Sequence, residues 1–149
     1  MTFEILIRYL HFISLVFLVT AVIGQHFLLR KEMKRSEIAR LQSLDVLYAV
    51  MVVIVLATGF AQWFLVGKPA GFYDNNPIFH TKISLFLIIG VVSAYPSVFF
   101  GKQKRGDPDE FVKVPSGITW SIRAELGLLA LMPLLATLMA KGIGIPISE

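Results

Sequence analysis

The sequence predicts an all-α membrane protein: a bundle of four spanning helices with both termini on the periplasmic side. Three observations carry that prediction. Hydrophobic residues fill 56% of the 149 positions and mean hydropathy is +0.72, above the ~45–50% apolar share of ordinary soluble domains. The apolar residues fall into four blocks, each long enough for the ~20 residues that a helix needs to cross a bilayer. Nine of the fourteen Lys and Arg residues sit in two short segments between those blocks, 30–40 and 102–113.

Helices are expected at roughly 3–29, 43–67, 78–100 and 118–141, all within a single transmembrane domain, 1–149. Lys and Arg collect in short cytoplasmic loops. Arg30, Lys31, Lys34, Arg35 and Arg40 therefore place loop 1–2 in the cytoplasm, and Lys102, Lys104, Arg105 and Lys113 do the same for loop 3–4. The expected location is a bacterial inner membrane. The formal charge of +4 comes largely from these loops and suits an anionic lipid surface better than nucleic acid.

The first helix does not read as a cleaved signal. Glu4 and Arg8 interrupt its start, the apolar run continues to Leu29, and Gly24-Gln25-His26 is no small-residue cleavage site. Glu4, Arg8, His11, Ser14, Gln25 and His26 fall within about a third of its circumference at ~100° per residue. This polar stripe is expected to face the other helices, because ionisable groups in a span avoid lipid.

The second helix, which holds Asp45, ends at the turn formers Gly67-Lys68-Pro69-Ala70-Gly71. Asn75-Asn76-Pro77 opens the third, with His80 and Lys82 in its first turns. Gly106-Asp107-Pro108-Asp109 and Pro115-Ser116 bracket the last loop, so all connections read as ordinary loops. Pro96 and Pro133 lie inside spans and are expected to kink them. Gly142-Ile143-Gly144-Ile145-Pro146 closes the fourth helix. Trp63, Tyr73 and Trp120 read as interfacial anchors.

Helix direction sets depth. At ~1.5 Å per residue His11 lies about 12 Å below the outer end of helix one. Arg8, His11, His80 and Lys82 then form an outer polar layer, and His26, Asp45, Arg123 and Glu125 an inner one. A His facing a ligand at matching depth is how a four-helix membrane bundle holds a b-type haem, with Arg or Lys neutralising the propionates. His11 is the first candidate iron ligand, with His80 or Lys82 as its partner and Arg8 and Arg123 as charge partners. Lys82 shares a side with the small residues Gly90, Ser93 and Ser97 and so is expected to face inward, leaving His80 nearer the interface. Arg123 shares a side with Gly127, Ala130, Thr137 and Lys141 and is likewise expected inside, with Glu125 at the interface. The structural alternatives are an interfacial His26, a structural His80, and a His11 that only hydrogen-bonds across helices.

The whole chain resembles an uncharacterised family of four-helix bacterial membrane proteins, known only as a domain of unknown function. The resemblance is carried by Tyr9-Leu10-His11-Phe12, Leu56-Ala57-Thr58-Gly59, Asn76-Pro77-Ile78-Phe79-His80-Thr81-Lys82, Tyr95-Pro96-Ser97 and the segment from Pro133 to Gly142. His11, Lys82 and Arg123 with Glu125 are also placed as in the HemJ-type protoporphyrinogen oxidases, which the chain distantly resembles. That likeness implies haem and electron transfer, or oxidation of a porphyrinogen or quinol. The chain departs from that pattern at Gln25-His26-Phe27-Leu28-Leu29-Arg30, where those proteins carry a longer Arg/Tyr-rich end. It departs from the uncharacterised family at His80, where an aromatic residue is usual.

Two functions follow as expectations. One is a haem b protein acting with a membrane redox partner. The other is a cofactor-free membrane subunit or small solute or proton carrier, thin enough at four helices to call for a homo-oligomer. Cys is absent, which excludes disulfides, iron–sulfur clusters and thiolate metal sites. The sequence holds no phosphate loop, nucleophile elbow or HExxH, so no catalytic residue is assigned.

Overall fold

In the computed structural model, which describes residues 2–144, four helices are long and apolar enough to cross a membrane. They are α1 (Thr2–Leu28), α2 (Arg35–Ala61), α4 (Pro77–Gln103) and α5 (Ser116–Ala140). A short helix, α3 (Ala70–Asp74), precedes α4, and two strands, β1 (Glu32–Lys34) and β2 (Phe111–Lys113), lie in the basic segments. Around the bundle α1 packs on α2, α2 on α4, α4 on α5 and α5 back on α1. The result is a closed up-down-up-down square in which sequence neighbours are antiparallel.

The two basic segments are not ordinary loops. β1 and β2 pair antiparallel, with Glu32 opposite Lys113, Met33 opposite Val112 and Lys34 opposite Phe111. Their pairing puts both segments at one end of the bundle, here the ribbon end; the other is the terminal end. The acidic residues of the second segment hold the basic residues of the first. Arg35 donates from Nε to Glu110 at 2.7 Å and from its terminal nitrogen to the Gln103 carbonyl at 2.8 Å. Lys34 reaches Asp109 at 3.3 Å. The α2 helix consequently starts at Arg35, ahead of the expected residue 43. The Glu37 carboxylate accepts the Lys34 amide at 2.9 Å, which satisfies one orphan donor of the first turn. Ile38 and Leu41, fully buried, anchor this added stretch.

The terminal end is closed by caps. The Asn76 side chain accepts the Ile78 amide at 2.9 Å and Pro77 takes the first helical position, the usual start of a helix. At the other end of α2 the last turn widens into a π-turn, Gln62–Val66, and stops at Gly67, where a Cβ would overlap the Gln62 carbonyl. The α5 helix ends in a Schellman turn. Ile143 donates to the Leu138 carbonyl and Gly142 to Met139, with Gly142 at φ 77°, a conformation that favours glycine. The continuation expected at Ile145-Pro146 lies outside the described residues. Trp63 stacks on Phe60 and Phe64 and donates to Asp74 at 3.0 Å, so it braces α3 at this end.

Candidate functional site

Polar side chains enter the bundle at two levels, separated by apolar packing. Leu18, Val55, Ile89 and Leu129, one from each long helix, are buried between the levels.

Toward the terminal end the level is built on His11. Its Nδ1 lies 2.9 Å from Thr58 Oγ1, and the Thr58 hydroxyl donates its own proton to the Ile54 carbonyl at 2.7 Å. Thr58 thus engages the Nδ1 edge of the ring and ties it to the α2 backbone, and no side-chain hydrogen bond reaches Nε2 among the described residues. Gly59 flanks the imidazole: a Cβ there would stand 3.6 Å from its Cε1. The half-buried Lys82 is close enough for its charge to act on His11. These contacts join Leu56-Ala57-Thr58-Gly59 to Tyr9-Leu10-His11-Phe12, two separate motifs of the sequence.

The other residues expected at this level point elsewhere. His80 is exposed, and its Nε2 lies 2.8 Å from the Asp74 carbonyl, so it serves the α3–α4 junction. Arg8 is half exposed and paired with Glu4 at 2.6 Å, one turn away on the same helix. The expected polar stripe of α1 therefore divides. Ser14 and Gln25 are buried and His11 and His26 half-buried, while Arg8 leaves the interior.

Toward the ribbon end the level is built on carboxylates. Asp45, about 15 Å along α2 from Arg35 at 1.5 Å per residue, accepts from Gln25 at 3.3 Å and Ser97 at 2.8 Å. Glu125 of α5 is 1% exposed and close enough to Asp45 for their charges to interact. One Glu125 oxygen, Oε1, and the Tyr48 hydroxyl are buried without a hydrogen-bond partner. The neighbouring Ser93 hydroxyl is committed to the Gly90 carbonyl at 2.8 Å. No Lys or Arg forms an ion pair with Asp45 or Glu125 among the described residues.

Arg123 and Glu125 exchange the places expected for them. Arg123 is exposed, its guanidinium 5.2 Å from the Trp120 ring centroid, and Gly127, Ala130, Thr137 and Lys141 are exposed on the same side. The buried face of α5 is Ile118, Ile122, Glu125 and Leu129. An ionisable residue inside a span is a candidate functional residue, and Asp45 and Glu125 both carry that signal in the sequence. The small residues beside Arg123 masked it, because small side chains mark helix contacts only where a helix is present to meet them.

For a haem, the residues fit on one side only. His11 offers an Nε2 that no side chain engages, on a ring held by Thr58 as a ligating His is held by its outer partner, and Lys82 lies beside it. His80, Arg8 and Arg123 are not brought to that ring. Among the described residues no group of three or more His, Asp or Glu side chains is arranged to hold a metal ion.

No curated protein and no solved structure matches the chain, so the HemJ-type likeness rests on residue placement alone. One family model does match, over residues 3–144, and its description is "Predicted membrane protein (DUF2214)". Four helices of membrane-spanning length agree with that description, and the chain belongs to this family.

Proposed function

We propose that this membrane protein is a small proton carrier, with Asp45 and Glu125 as the exchanging groups. The observation that carries the reading is two buried carboxylates within reach of each other's charge and without a basic partner. Unpaired negative charge in a low-dielectric interior is costly and is normally offset by a cation or a proton. A bound proton is the smallest such offset, and the unpartnered Oε1 of Glu125 is an open position for it. Gln25 and Ser97 hold Asp45 by neutral hydrogen bonds that persist whether or not the proton is present. The apolar layer through Leu18, Val55, Ile89 and Leu129 separates the carboxylates from the terminal end, as a carrier that opens to one side at a time requires.

The test is proton flux in sealed liposomes with a pH dye inside and a potassium diffusion potential across the membrane. Wild-type protein acidifies or alkalinises the lumen according to the sign of the potential. Glu125→Gln abolishes the flux, and Arg123→Gln, on the outer surface, leaves it unchanged. Flux no greater than in protein-free liposomes, or a fully active Glu125→Gln, overturns the reading.

One observation favours a second reading, a b-type haem on His11: Nδ1 is engaged by Thr58 and no side chain engages Nε2 among the described residues. Bound there, haem would supply one-electron chemistry, and Lys82 would neutralise a propionate. Protein from haem-replete cells would show a Soret band that His11→Ala removes. Folded, colourless protein from such cells ends this reading.

A further inference from the structure

A cavity of about 500 Å³ lies at the ribbon end, outside the bundle interior, lined by residues that include Lys31, Lys113, Ser116, Thr119, Trp120 and Arg123. We propose that it binds the phosphate headgroup of an anionic phospholipid, whose acyl chains lie along the outer face of α5.

Three elements assemble the headgroup pocket. The β-ribbon supplies the two lysines. Lys31 is tied beside β2 by its carbonyl, which accepts the Val114 amide at 2.8 Å, and Lys113 stands opposite Glu32. The α5 helix supplies Arg123, held over Trp120, with the hydroxyls of Ser116 and Thr119. Neither lysine nor Arg123 has an ion-pair partner among the described residues, whereas the neighbouring Arg30, Lys34 and Arg35 are all paired with acids. Glu32, the one acid in the lining, forms no ion pair either, so three cations against one carboxylate leave the pocket positive. Pro115, at the helix cap, makes no side-chain hydrogen bond to the first turn; the Ile118 amide is bonded to the Pro115 carbonyl at 3.0 Å, and the Ser116 and Gly117 amides ahead of it add a further positive contribution.

The choice of a lipid over a free anion comes from what lies beside the pocket. Trp120 is 65% exposed, in keeping with the headgroup level of a membrane. Below it on the same side of α5, at helical spacing, are Ala124, Gly127, Leu131 and Leu134, all exposed. Nothing lies within 4 Å of the position a Cβ would take at Gly127. That side is a shallow apolar track leading away from a cationic pocket, the shape of a phospholipid. Arg123 has the length to reach from the track to the headgroup, as snorkelling arginines do.

The experiment is native mass spectrometry of delipidated protein titrated in detergent with dioleoyl-phosphatidylglycerol, and separately with dioleoyl-phosphatidylcholine. Wild-type protein should retain a phosphatidylglycerol adduct selectively. Each cation beside an anionic surface contributes about fivefold, so the triple variant Lys31→Gln/Lys113→Gln/Arg123→Gln should weaken retention on the order of a hundredfold. Lys102→Gln/Lys104→Gln, which removes charge from the same end outside the pocket, should hold the adduct as wild type does. Circular dichroism checks that both variants keep their helices. If the triple variant does not fold, the Trp63→Phe protein reports instead: its one remaining tryptophan, Trp120, should change emission with phosphatidylglycerol and not with phosphatidylcholine. Equal retention of the two lipids overturns the proposal, as does equal loss in the Lys102/Lys104 variant. Displacement of the lipid by millimolar inorganic phosphate also overturns it, since the site would then be one for a soluble anion.

Discussion

At the terminal level His11 meets a hydroxyl, and at the ribbon level Asp45 meets a second carboxylate. Both levels are polar groups inside an apolar bundle, yet their energetics are opposite. The His11–Thr58 bond gives each side chain a hydrogen-bond partner across two helices. The Asp45–Glu125 pair sets two acids in one buried site and leaves Oε1 of Glu125 without a partner. The first arrangement is a helix contact that stabilises the fold. Buried carboxylates without a basic partner are costly to a fold, which is why they, ahead of the histidine, carry the functional proposal.

Four substitutions test that contrast, each read as a shift in denaturation midpoint in mild detergent. The largest effect is expected from Asp45→Leu. It leaves the Gln25 amide and the Ser97 hydroxyl without their acceptor, so it should destabilise by about 3 kcal/mol, at ~1–3 kcal/mol per buried unsatisfied group. Glu125→Leu should act in the opposite direction. Removing the unpartnered acid relieves both its repulsion and its desolvation, and stability should rise by roughly 1–3 kcal/mol while proton flux is lost. If both leucine variants destabilise alike, the two acids are not distinct and the contrast within the ribbon level fails. Thr58→Val should cost about 1 kcal/mol, the scale of one interhelical hydrogen bond in a membrane bundle. A loss several times larger would show that the His11 level matters more than one neutral bond. His80→Ala, at an exposed position, should change stability by less than about 0.5 kcal/mol and leave flux unaltered. A larger effect would return His80 to the interior from which its contact with Asp74 removes it.

Particular residues show where reading the chain succeeded. Apolar runs of spanning length identify the four helices, because a bilayer demands that length whatever the neighbours are. The concentration of Lys and Arg in 30–40 and 102–113 put both segments at the same end, and the β1–β2 pairing places them there. His11 and Lys82, which the sequence expects to face inward, are both half-buried. His80 could not be oriented in the same way, since the carbonyl that holds it belongs to α3, a helix of five residues with no apolar period to reveal it. The ribbon was illegible for a similar reason: its strands of three residues are far apart in the chain and form only against each other.

Length, hydropathy and charge pattern alone thus specify a four-helix membrane protein and the end at which its basic segments gather. Those properties depend on length, hydropathy and the rise of a helix, which each segment carries alone. Tertiary structure decided which of two residues on one helix enters the interior. Arg123 and Glu125 are two apart, ~200° around the helix at 100° per residue, so the rotation of α5 that buries one must expose the other. That rotation is set by packing Ile118, Ile122 and Leu129 into the bundle, a property of three other helices that no local pattern in α5 contains.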